Sequence, residues 1–142
     1  MIGELYVPGA RLADFMAAVA NDFRSHAVDV VYGTIRLVKR DEDTFLSWAK
    51  DDYACVIFNL HTVHTEEDIE RSATAFRRLI DLAIERNGNY FLTYHRWATR
   101  EHVGRCYPEF ADFLRLKRRH DPDELFQSDW YRHYARLFAD EL

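Results

Sequence analysis

Glycine is scarce in this chain. Its 142 residues include five, Gly3, Gly9, Gly33, Gly88 and Gly104, and each stands alone. A phosphate cradle needs several neighbouring backbone amides with no side chain in the way, so no two of these positions build one. Cysteine is scarcer still. Cys55 and Cys106 form no CxxC pair, which excludes a disulfide framework or a dithiol motif and leaves two reduced, buried thiols. Cys106 has no base at a fixed spacing, so it is not taken as a nucleophile. No run of about 18 apolar residues offers a membrane helix. Met1-Ile-Gly-Glu4 lacks the basic start of a signal peptide, and the expectation is a cytoplasmic protein. Cationic excess is missing too: the net charge is −5, which argues against a general nucleic-acid binder. His61-x-x-His64 with Glu66 and Glu67 invites a metal reading. However, residues three apart on a strand face opposite ways and no third ligand stands at a suitable spacing, so no metal is expected.

What is present is a chain 48% hydrophobic and 15% aromatic, without repeats or linkers, of a length that fits one domain. Its longest apolar, β-prone run is Tyr53 to Val63. At period two, Ala54, Val56, Phe58 and Leu60 share one face, and Cys55, Ile57, Asn59 and His61 share the other. Before it, Leu5 to Pro8 is a short extended start. Leu12, Phe15, Met16, Val19 and Phe23 then form one apolar stripe on a helix over about residues 10–26. Val28 to Lys39 alternates again, with Tyr32, Thr34 and Arg36 on one face and Val31, Gly33, Ile35 and Leu37 on the other. Arg40 to Asp52 is an acidic loop with one helical turn expected at Phe45–Trp48. Thr65-Glu-Glu-Asp68 starts a second helix, with acids where the helix dipole favours them, and Asn87-Gly88 stops it. Tyr90 to Trp97 is read as a fourth strand.

That order, β-α-β-β-α-β, predicts an α+β, ferredoxin-like antiparallel sheet with both helices on one face. Residues 1–97 form this core and 98–142 a helical tail within one domain. The open face should gather Tyr32, Thr34 and Arg36 with Asn59 and His61. Arg36 suits a carboxylate or hydroxyl through its fork geometry, and His61 is a candidate proton acceptor. The bland alternatives are a solvent-facing arginine and a histidine at a strand end. In the tail, Tyr107-Pro108 breaks a weak helix and Phe110, Phe113 and Leu114 give the next one an apolar side. Lys117-Arg-Arg119 matches its dipole, and Ser128-Asp129 caps a last helix carrying Trp130, Tyr134, Leu137 and Phe138 as core.

Trp97, Tyr107-Pro-Glu-Phe110, Phe113, Arg118-Arg119, Asp121-Pro122 and Phe126 resemble the C-terminal end of FAD-linked oxidases of the vanillyl-alcohol oxidase type. The subgroup most alike contains the alditol and aldonolactone oxidases. Thr34-Ile-Arg36, Leu46-Ser47 and the strand holding Asn59 and His61 follow the same order. The resemblance implies a cap, or substrate, domain whose sheet lies over the flavin while a hydroxyl group is oxidised by hydride transfer. Thr34 stands where such enzymes often carry an acid, Arg36 matches the basic residue two positions on, and Thr99 replaces a common lysine. Arg96 replaces a common histidine and joins the substrate set, with His95 and Trp97 as candidate cofactor contacts. FAD itself would be held mainly by a flavin-binding domain or subunit outside these residues, so no turnover is expected of this chain alone. The rival reading is a stand-alone ferredoxin-like module that binds a small molecule or forms a homodimer through its open sheet face.

Overall fold

The computed structural model describes residues 1–142. Four strands, β1 (Ile2–Pro8), β2 (Val30–Val38), β3 (Tyr53–Leu60) and β4 (Asn89–Tyr90), form one antiparallel sheet in the order β2-β3-β1-β4. Helices α1 (Leu12–Ser25) and α2 (Glu66–Ile84) cross on one face, giving the ferredoxin-like arrangement. The tail adds α3 (Arg100–Cys106), α4 (Phe110–His120) and α5 (Asp129–Leu137).

Three of the five helices begin at a side-chain cap. Thr65 accepts from the Asp68 amide at the start of α2, and Ser128 accepts from the Tyr131 amide at the start of α5. Thr99 and His102 form a reciprocal capping box on α3, satisfying amides that the helix itself cannot. Asn87 sits at φ 58° after α2, the left-handed conformation that asparagine tolerates at helix ends.

On the covered face Leu5, Val7, Ala54, Val56, Phe58 and Leu60 meet Phe15 and Val19 of α1 and Phe76, Leu79, Ile80 and Ala83 of α2. The same buried cluster runs on through Tyr107, Phe110, Leu114, Tyr131 and Tyr134, so core and tail share one apolar interior. Gly3 is what lets Phe76 close on β1: a Cβ there would lie 2.0 Å from the ring edge.

Three expectations need correction. The third strand stops at Leu60 rather than Val63, because Asp68 caps the Val63 amide and the Thr62 hydroxyl bonds Ser72. The fourth strand is two residues long rather than eight. Beyond it the chain turns inward, with Trp130 Nε1 donating to the Leu92 carbonyl and His95 stacking on Trp97. No helical turn forms at Phe45–Trp48. Instead the Asp41 carboxylate accepts from the Asp43 and Thr44 amides and folds the loop as an Asx turn. The two helices do not cover β2, and Val31, Ile35 and Leu37 are exposed.

Candidate functional site on the open sheet face

Residues paired directly across antiparallel strands share a face. In β2 and β3, Tyr32 pairs with Asn59, Thr34 with Ile57 and Arg36 with Cys55. In β1 and β3, Glu4 pairs with Ile57 and Tyr6 with Cys55. Tyr32, Thr34, Arg36 and Asn59 therefore stand on the side away from the helices, together with Glu4 and Tyr6. One end of this side is closed: Trp48 and Ala49 of the acidic loop pack over Tyr6, Tyr53 and Cys55. The end carrying Tyr32 and Thr34 stays open.

Glu4 is the centre of the polar contacts here. Its side chain is 8% exposed, yet it accepts from Arg36 Nη2 at 2.8 Å and from Cys55 Sγ at 2.8 Å. A buried carboxylate keeps its charge only with such partners. Burial, then the hydrogen bond and charge of Glu4, push the Cys55 thiol up to about 12, so it donates rather than reacts. Burial and then Glu4 also raise the Tyr94 hydroxyl. Arg36 is tied at one nitrogen and 59% exposed, leaving the remaining donors of its fork turned to solvent. A depression of about 310 Å³ runs beside it, lined by Glu4, Tyr6, Arg36, Trp48, Phe91 and Tyr94.

His61 stands elsewhere. Past the end of β3, its Nδ1 lies 2.9 Å from Asp29 Oδ2 and its amide donates to the Asp29 carbonyl. It lines a groove of about 580 Å³ with His26, Asp29 and the first half of α2, and shares no lining residue with the Arg36 depression. In that groove Arg78 grips Asp22 with two bonds of 2.7 and 3.0 Å, and Arg71 pairs with Asp68.

His95 and Trp97 turn to the helix side. Their rings stack 4.3 Å apart, and the His95 ring lies 4.8 Å from that of Phe76 on α2. Burial lowers the His95 pKa to about 4, and its Nδ1 has no partner. Arg96 is exposed, and its charge reaches Asp129 and His133 of α5 rather than the Glu4 cluster. The structure thus joins Tyr32, Thr34, Arg36 and Asn59 on one face and separates them from His61, Arg96, His95 and Trp97. Glu4 was missed because the first strand was read from Leu5. The alternation of Ile2, Glu4 and Tyr6 was the available signal.

A family model described as D-arabinono-1,4-lactone oxidase matches residues 3–134. The chain belongs to that family. No curated protein matches it. The matched stretch is the C-terminal domain of FAD-linked aldonolactone oxidases. This domain's own residues do not fit the pyrophosphate of FAD. The first helical turns carry Asp14 in α1, Glu66, Glu67 and Asp68 in α2, Asp112 in α4 and Asp129 in α5, so the ends that would attract an anion already hold carboxylates.

Proposed function

We propose that this domain is the substrate-positioning cap of an FAD-dependent oxidoreductase that removes a hydride from a hydroxylated carbon of a small molecule. FAD is carried by a flavin-binding domain or subunit, and this chain's part is to bind and orient. The observation that supports the reading is the row Tyr32, Thr34, Arg36 with Asn59 opposite, on the sheet face that no helix covers. Arg36 presents its free guanidinium edge to a hydroxyl or ring oxygen of the substrate. The hydroxyls of Tyr32 and Thr34 and the Asn59 amide both donate and accept, which suits neighbouring hydroxyl groups. Glu4 fixes the direction of Arg36. His61, paired with Asp29 at the far end, is left outside the set.

The test is a titration of the purified chain with D-arabinono-1,4-lactone, followed by amide NMR. Shifts should gather at Tyr32, Thr34, Arg36 and Asn59 and vanish in Arg36→Ala. Shifts mapping instead to the groove beside α2 would refute the assignment. Flavin co-purifying with this chain alone would overturn the division of labour.

A further inference from the structure

A second hollow lies next to the Arg36 depression. It holds about 330 Å³, and Leu46, Trp48, Phe91, Phe113 and Trp130 are among its lining residues. Seven of the eight residues that line it are hydrophobic and none is charged. The Tyr107 hydroxyl donates to the Tyr90 carbonyl and Trp130 Nε1 to the Leu92 carbonyl, so these two polar tips are already bonded within the fold. Thr93 is the one remaining lining residue, and it is exposed. A polyol or a carboxylate entering this hollow would give up its water for few new partners. A flat aromatic ring loses no hydrogen bonds there and gains edge and face contacts with the rings around it. A cavity of about 150 Å³ already admits benzene, so a substituted phenyl ring fits.

The two hollows adjoin, because Trp48 and Phe91 line both. Both residues are held in place. Asn89 Nδ2 donates to the Trp48 carbonyl at 3.1 Å, the Trp48 ring lies 5.2 Å from that of Tyr6, and the Phe91 amide donates to the Glu4 carbonyl at 3.0 Å. A charged, hydrogen-bonding end and an apolar, aromatic end thus share one wall, which is the usual make-up of a small-molecule site. We propose that the ligand of this domain is an aryl-substituted polyol or lactone. Its hydroxylated part lies on Arg36, and its aromatic ring passes Trp48 and Phe91 into the apolar hollow. An unsubstituted sugar lactone fills only the first space and leaves the second empty. The proposal rests on the substrate reading above, which supplies Arg36 as the polar anchor, and adds the class of group attached to the hydroxylated part.

Two ligands test this on the purified chain: D-arabinono-1,4-lactone and its 5-O-benzyl ether. By calorimetry the benzyl ether should bind about tenfold or more tighter than the lactone. In NMR spectra the ether alone should shift the indole signals of Trp48 and Trp130, while that of Trp97, stacked on His95, stays still. Thr93→Phe fills the hollow from its exposed side. With circular dichroism unchanged, it should bring the two affinities within about twofold of each other. Arg36→Ala should weaken both ligands about fivefold or more. Equal affinities on the native chain, with binding that still depends on Arg36, would overturn the aryl proposal and leave the substrate reading standing. A benzyl gain that survives Thr93→Phe would overturn it too, since the ring would then sit elsewhere. Binding that ignores Arg36→Ala, or no binding of either ligand, would overturn the substrate reading and this proposal with it.

Discussion

Acid should destabilise this domain through His95. The ring packs against both Phe76 and Trp97 and is partly buried, so burial favours its neutral form and lowers its pKa from 6.5 to about 4. In the unfolded chain the ring protonates near its ordinary value. Between those two values the unfolded state binds more protons than the folded one, so stability rises with pH across the window and is lost as pH falls. The difference of about 2.5 units corresponds to roughly 3 kcal/mol at most, fully lost near pH 4. For a domain of this size that is a fall in Tm of about 6–12 °C. The assay is a thermal melt at a series of pH values for the native chain and for His95→Phe, which keeps a flat ring in the stack. The native Tm should drop more steeply below about pH 6.5, and the difference between the two curves isolates His95 from every other titrating group. Parallel curves would refute the reasoning, because they would mean that the imidazole is hydrated or finds a partner in the folded state.

Two further expectations bear on the sheet. Glu4→Gln removes the charge that holds Arg36 and Cys55, and should cost about 1 kcal/mol in urea unfolding while the Arg36 side-chain NMR signals broaden or shift. Unchanged Arg36 signals would show that Glu4 does not orient it. Gly3→Ala places a methyl into the Phe76 ring and should cost about 1–3 kcal/mol, read as a lower urea midpoint; an unchanged midpoint would mean that Phe76 has room to withdraw.

The face carrying Tyr32, Thr34 and Arg36 was legible because period-two alternation follows from backbone geometry and needs no knowledge of neighbours. The same rule misled at His61. Alternation holds only while the strand lasts, and what ends β3 is a carboxylate three residues into the next helix, Asp68, reaching back to the Val63 amide. His95 and Trp97 were read as strand residues for a similar reason. An aromatic-rich run suits a strand as well as a packed turn, and only the presence of Phe76 behind it chooses the turn. Glu4 is the plainest case. Nothing local separates a carboxylate on an exposed edge from one buried between an arginine and a thiol 32 and 51 residues away.

The sequence by itself determined the order of elements, the helix starts at Thr65 and Ser128, and the two faces of each long strand. These depend on spacing and on side chains within a turn of each other, which the chain carries wherever it goes. Tertiary structure decided which polar residues meet, that the acidic loop closes one end of the open face, and that β2 is left bare on both sides. Those outcomes depend on how far α1 and α2 reach across the sheet and on which distant side chain satisfies a buried group.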